Sequence, residues 1–259
     1  MQLAVDIGNS DVVFGLYAHD TWQHIWRTPT LPGEVTAHYE RQLRLLMLED
    51  NVPLGTITRT VLSSVVPTLT PTLRDVLTGL FGTAPVVIGP AVYGALPLTI
   101  LRPDQIGTDL VANAMAAYTR YGQNCVVVDF GTALTFTTVS ATGEILGVAI
   151  APGLKTAIRS LFANTAQLPE VPIELPPSAL GLNTTHAIQA GVVMGYEGLV
   201  RSMIHRIRTE LNGDCLAVAT GGLAHAIATL GPEFEAVIPS LTLDGIRLIG
   251  ERVPTGVSH

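Results

Sequence analysis

LAVDIGNSDVVFGLY, residues 3–17, runs an apolar strand into a carboxylate and then into a Gly-Asn-Ser turn. Leu3, Val5 and Ile7 alternate as strand residues do, and Gly8-Asn9 between apolar runs is a strong hairpin signal. Asp6 is a poor strand residue that a hairpin alone has no need of. A tight turn with exposed backbone N–H groups makes a nest for phosphate oxygens. A carboxylate at the strand end can hold Mg2+, which keeps several of its own waters. One copy is equally well read as a plain hairpin. A second copy, VVVDFGTALTFT at 126–137, with Asp129, Gly131 and Thr132 in the matching places, favours a two-sided nucleotide cleft.

The elements around each copy repeat as well. A third strand is expected at 21–28 (TWQHIWRT) and at 143–151 (GEILGVAIA), each followed by a helix, at 33–50 and 154–166. Two halves of order strand-strand-strand-helix are an internal duplication at the level of structure. The boundary falls near 115–122, giving domains 1–118 and 119–259. TRTVLSSVV predicts a strand closed by Pro67, then a helix from Pro71 to Phe81 and a short strand, PVVIG. A long helix is expected over 185–211, with Thr184 or Thr185 as N-cap. Gly191, Gly195 and Gly198 within it each cost about 1 kcal/mol against Ala. Close approach of another helix, within the chain or across a dimer, explains them. CLAVATGGLAHAIATL predicts a strand, a Thr-Gly-Gly turn and a helix, and a last helix lies within 237–253 in the second half.

Composition excludes several classes. The chain has 259 residues, 47% hydrophobic and 14% charged, with a net charge of -7 and no cluster of basic residues. That argues against a nucleic-acid partner. No apolar run approaches the ~18 residues of a membrane helix, and the N-terminus has no secretory pattern. Cys125 and Cys215 are too few for a disulfide framework and lack metal-ligand spacing, so both are expected as buried free thiols in the cytoplasm. No histidines stand at zinc-binding spacing. Lys155, the only lysine, follows Pro-Gly-Leu, so the Gly-Lys-Ser/Thr phosphate loop and the protein-kinase lysine are both absent.

Two further segments carry candidate chemistry. Gly221-Gly222, between a strand and a helix, lets a base or ribose lie on bare backbone, although an ordinary turn reads the same way. Asp109, in Gly107-Thr108-Asp109 at the start of a helix, is either a cap or a group that takes a proton from a substrate hydroxyl. Phosphoryl transfer needs little more than positioning, charge stabilisation and such a base.

Together these segments resemble type III pantothenate kinases, within the acetate/sugar kinase, Hsp70 and actin superfamily. The resemblance rests on DIGNS (6–10), SSVVP (63–67), GTDLVANAMAAY (107–118), VVDFGTALTF (127–136), IAPGL (150–154) and TAQLP (165–169). GLNTTHAIQAGVVMGY (181–196), ATGGLA (219–224) and LTLDGIRLI (241–249) complete it. It implies an α/β fold of two ribonuclease-H-like, actin-like ATPase halves with a nucleotide cleft between them. It also implies ATP-dependent phosphorylation of pantothenate to 4'-phosphopantothenate, the first step of coenzyme A biosynthesis, by a cytoplasmic homodimer. By the same resemblance Asp6 binds Mg2+ and Gly8, Asn9 and Ser10 hold phosphates. Asp129, also a metal ligand, forms the second phosphate loop with Gly131 and Thr132, and Gly221 and Gly222 lie near adenosine. Asp109 is the catalytic base, Gly107 and Thr108 adjoin the substrate, and Thr184 reaches the pantothenate site from the partner subunit. A monovalent cation, K+ or NH4+, joins the Mg2+.

Two positions depart from the family pattern. Leu110 stands where the family has arginine, which deletes a cation and up to five hydrogen-bond donors from the substrate site. Arg102 is the candidate replacement. Thr137 stands where the family usually has aspartate. The altered acceptor side keeps two alternatives open: a kinase for another small alcohol, or a nucleotide-binding regulatory or accessory protein.

Overall fold

The computed structural model describes residues 1–165 and 167–254. Ala166, within the TAQLP segment, lies outside the described residues. The chain forms two compact units, one of residues 1–116 with the C-terminal segment from Leu241, the other of residues 117–240.

In the first unit, β1 (Gln2–Ile7), β2 (Asp11–Ala18) and β3 (Thr21–Pro29) form an antiparallel meander. The β2–β3 hairpin turns on His19 and Asp20, both with positive φ, which the short polar Asp tolerates well. After α1 (Thr36–Glu49), β4 (Arg59–Ser64) returns parallel to β1. After α2 (Thr70–Phe81), β5 (Val86–Val87) pairs parallel to β4. The sheet order is β3-β2-β1-β4-β5. Leu3, Val5, Ile7, Phe14 and Leu16 pack with Tyr39, Leu43 and Met47 of α1 and Leu73, Val76 and Leu77 of α2. A four-residue helix, α3 (Pro90–Tyr93), precedes α4 (Thr108–Tyr121), in which the chain passes to the second unit.

The second unit repeats the plan. β6 (Cys125–Phe130), β7 (Ala133–Val139) and β8 (Ile145–Pro152) form the meander, and α5 (Leu154–Ala163) follows. After α6 (Thr184–Gln189), a π-helical turn over 190–194 and α7 (Gly195–Glu210), β9 (Leu216–Thr220) lies parallel to β6. The two-residue β10 (Ala236–Val237) lies beside β9. The order, β10-β9-β6-β7-β8, is that of the first sheet. The duplication expected from the two Asp-x-Gly turns is thus a duplication of topology, and each unit has the ribonuclease-H-like arrangement.

Four expectations change. The last helix, α8 (Leu241–Arg252), packs on the first unit, whereas the sequence placed it with the second half. Its Gly245 and Gly250 explain this: a Cβ at Gly245 would overlap the Ala112 carbonyl, and one at Gly250 would overlap Val61 and lie 2.7 Å from Gln2 Nε2. Trp22 Nε1 donates to Asp244 Oδ1 at 2.8 Å, and the Arg247 guanidinium sits 4.3 Å from the Tyr17 ring centroid. The N-cap of α6 is Asn183, whose Oδ1 accepts from the His186 N–H at 2.8 Å, in place of either threonine. The segment after Gly222 forms turns and a 3-10 helix over 228–233 in place of an α-helix, with Pro232 inside it and β10 following directly. No atom comes within 4 Å of a Cβ built at Gly191, Gly195 or Gly198, so of the two explanations for them the close approach within the chain does not hold among the described residues.

Candidate active site

In the first unit Asp6 lies one residue from the end of β1, in register with Val13 on β2 and Ser63 on β4. The Gly8 N–H donates to the Asp11 carbonyl at 2.9 Å and closes the turn. Thr30, just past β3, braces it from outside: its Oγ1 donates to the Gly8 carbonyl at 2.6 Å and its N–H to the Ser10 carbonyl at 2.9 Å. Asn9 and Ser10 remain exposed at the tip. This is a rigid turn with its outer surface open, as a phosphate site requires.

Asp109 is the second residue of α4. Its Oδ1 accepts from the Leu110 N–H at 2.8 Å and folds back over Gly107, where a Cβ would collide with it. Glycine at 107 is therefore a condition for that carboxylate rotamer. Burial raises the Asp109 carboxyl above its ordinary value, against the lowering effect of backbone N–H donors from Leu110 and Asp109 itself. Tyr93 was not singled out by the sequence. It is 6% exposed, its hydroxyl has no hydrogen-bond partner among the described residues, and burial followed by the Asp109 charge pushes it up to about 12. Its only sequence signal is a tyrosine between two glycine-bearing stretches, Gly89-Pro90 and Gly94, which carries no chemistry by itself.

Around Asp109, the Thr108 hydroxyl is turned to β4 and hydrogen-bonds Ser63 and Ser64. Leu110 is 7% exposed, so the departure from arginine is absorbed into packing. Arg102 is exposed, in the loop before α4.

In the second unit Asp129 on β6 lies in register with Thr135 on β7 and Thr220 on β9. Cross-strand partners project from one face of a sheet, so the three oxygens form a row. Thr135 Oγ1 and Thr220 Oγ1, with Thr137 Oγ1 two residues along β7, are buried without hydrogen-bond partners among the described residues. The Gly131 N–H donates to the Ala133 carbonyl at 3.1 Å, closing the second turn. The start of α5 holds that turn from behind: the Gly153 N–H and Thr156 Oγ1 both donate to the Thr132 carbonyl, at 3.0 and 2.8 Å. A Cβ at Gly153 would overlap the Gly131 carbonyl, which accounts for the glycine in Pro-Gly-Leu. Gly221 has φ +92°, and a Cβ there would lie 2.5 Å from Asp129 Oδ1. Gly222 is exposed beside it, and Thr184 is exposed at the start of α6.

The structure thus gathers Asp6, Gly8, Asn9 and Ser10 in one turn, and Gly107, Thr108 and Asp109 with Tyr93 in a second cluster of the same unit. It gathers Asp129, Gly131, Thr132 and Gly221 in the other unit. Among the described residues no three His, Cys, Asp or Glu side chains converge as a metal cage. A single carboxylate with oxygen neighbours suits Mg2+, which binds through one or two carboxylates and substrate phosphates.

The sequence matches the family profile of type III pantothenate kinases over residues 2–206. It is 44% identical over 261 aligned positions to a type III pantothenate kinase of Treponema pallidum (strain Nichols), covering 98% of this chain and 95% of that one. Among solved structures, a conserved putative Baf family transcriptional activator from Campylobacter jejuni superposes with a TM-score of 0.62 at 19% identity, over 95% of this chain and 96% of the other. MreB 5 of Spiroplasma citri bound to AMPPNP gives 0.54 at 11%, over 96% of each chain. At these identities the structures speak for the fold alone, which they share with this chain.

Proposed function

This chain belongs to the type III pantothenate kinase family and phosphorylates pantothenate from ATP, opening coenzyme A biosynthesis; we propose that Asp109 is the base that accepts the hydroxyl proton. The observation that supports this role is the carboxyl itself. Burial strengthens its hold on a proton, and Leu110 N–H fixes Oδ1, leaving Oδ2 to meet the alcohol.

The remaining assignments rest on the turns. In the first unit the turn closed by Gly8 presents Asn9 and Ser10 to the ATP phosphates, and in the second unit the turn closed by Gly131 presents Thr132. Asp6 and Asp129 supply carboxylate oxygen for Mg2+, which when bound neutralises phosphate charge. The row Thr220, Asp129, Thr135 offers hard oxygen donors, its two threonine hydroxyls without hydrogen-bond partners among the described residues, which suits a monovalent cation. Gly221 and Gly222 lie where backbone can meet adenosine. On the acceptor side, the exposed guanidinium of Arg102 pairs with the pantothenate carboxylate in place of the arginine that Leu110 displaces, and the Tyr93 hydroxyl donates to the acceptor.

A homodimer is supported by apolar surface on the second unit. Leu146, Val148 and Ile150 line one side of edge strand β8, with Ile150 69% exposed, and the glycines of the α6–α7 helix leave open space for a neighbour. An exposed Thr184 is then available to the partner's site. Cys125 and Cys215 are free and buried, which supports a reducing, cytoplasmic setting.

ADP release from ATP-Mg, measured with and without pantothenate and with K+ or NH4+, tests the reading. Pantothenate-dependent turnover abolished by Asp109→Asn supports it. Turnover that survives the substitution removes Asp109 from the chemistry, and turnover with a different alcohol moves the acceptor assignment.

A further inference from the structure

We propose that Thr108 is a positioning residue: its hydroxyl clasps the start of α4 to the end of β4 and so aims the neighbouring Asp109, without touching substrate itself. The inference rests on Asp109 being the base.

The Thr108 Oγ1 lies 2.9 Å from Ser63 Oγ, accepts from the Ser64 N–H at 3.0 Å and reaches the Ser64 carbonyl at 3.1 Å. A hydroxyl has one proton and two lone pairs, so these three partners use its capacity. Nothing is left for an acceptor molecule. Ser63 is fully buried and stands in register with Asp6, so the clasp joins α4 to the strand beside the one that carries the Mg2+ carboxylate. The other side of the junction is tied as well. Ser64 Oγ accepts from Thr70 Oγ1 at 2.8 Å, which anchors the first residue of α2 to the same strand end.

Helix geometry converts this anchor into aim. Successive residues are rotated by about 100° around an α-helix, so fixing the azimuth of Thr108 fixes that of Asp109. The carboxylate then settles over Gly107 with Oδ1 on the Leu110 N–H. A displacement of about 1 Å in a reacting group can cost on the order of 100-fold in rate, so a hydroxyl remote from the chemistry can govern turnover.

Thr108→Val keeps the shape and removes the hydroxyl. We expect kcat to fall about 10- to 100-fold, with KM for ATP-Mg and for pantothenate within about twofold, changes worth under 0.5 kcal/mol. Thr108→Ser, which keeps the hydroxyl, recovers most of the loss. In an Asp109→Asn background Thr108→Val adds little, because both changes act on one group. Ser63→Ala removes a single partner and gives a smaller loss in the same direction, and it carries the test if the valine variant does not fold. A rise in pantothenate KM at constant kcat would make Thr108 a substrate contact and overturn the proposal. So would an unchanged kcat, or a serine variant as impaired as the valine. If Asp109→Asn alone leaves turnover intact, the base assignment has failed; if it abolishes turnover while Thr108→Val is fully active, the clasp alone has failed.

Discussion

The Tyr93 hydroxyl lies within the field of the Asp109 carboxylate, and burial together with that charge pushes it up to about 12. It is therefore a proton donor at any physiological pH, yet no group of the described chain accepts from it. An unsatisfied buried hydroxyl costs about 1–3 kcal/mol, a cost that a bound acceptor would offset. Tyr93→Phe should leave the fold as stable or slightly more so by thermal unfolding. The same variant should raise KM for pantothenate about tenfold, the value of one hydrogen bond of ~1.4 kcal/mol. An unchanged KM would remove Tyr93 from the acceptor site.

Asp109→Asn should lower kcat by about two to four orders of magnitude, the usual scale for a lost general base, while ATP still raises the melting temperature. The substitution should also stabilise the protein. Burial raises the folded-state value above the unfolded one, so the native chain holds its proton more tightly. Wild-type stability then declines as pH climbs from the unfolded-state value through the folded-state value. The asparagine variant escapes that decline. Melting curves should show it more stable than wild type at neutral pH, with the advantage shrinking in acid where both states are protonated.

Gly221 and Gly222 should separate backbone strain from ligand contact. At Gly221 a side chain meets both a positive φ and Asp129, so Gly221→Ala should cost about 1–3 kcal/mol of stability and weaken ATP binding. Gly222 has open space around a built Cβ. Gly222→Ala should melt like wild type, and a higher KM for ATP in that variant would mark adenosine against its backbone.

The acceptor's charge should be read by Arg102. It is exposed and forms no ion pair among the described residues, so Arg102→Ala should leave the melting temperature unchanged. Its expected effect is a rise of about tenfold in KM for pantothenate, with KM for ATP constant, in line with a charge-assisted contact of ~1.5 kcal/mol. A flat response would leave the displaced arginine at Leu110 without a substitute.

Thr220→Val replaces a buried hydroxyl, without a partner among the described residues, with a methyl of similar size. Stability should hold or rise, while the K+ concentration needed for half-maximal activation increases several-fold. An unaltered activation curve would place the cation elsewhere than in the row through Asp129.

The parts of this protein that were readable in one dimension are those made by neighbours in sequence. Asp6 with Gly8-Asn9, and Asp129 with Gly131-Thr132, announce their turns because strand alternation, carboxylate and glycine all fall within a few residues. The hydrogen bonds of the Thr108 hydroxyl were not legible, because its partners, Ser63 and Ser64, lie 45 and 44 positions away. Tyr93 was invisible for the same reason, since its meaning comes from Asp109. The helix expected after Gly222 lost to pairing: Glu235 N–H and Ile238 N–H both donate to β9, at 2.9 and 2.8 Å, and pull the segment into a strand edge. Propensity in LAHAIATL could not register that competition.

The return of α8 to the first unit reverses the order in which the two units can finish during synthesis. Residues 117–240 are continuous and are all made before α8, whereas β1 and β4 must wait for Gly250, which follows them in the chain. The half begun first is therefore completed last. Until then the nascent chain exposes the surfaces that α8 covers, which makes the interval before α8 is made the one in which chaperone protection matters most.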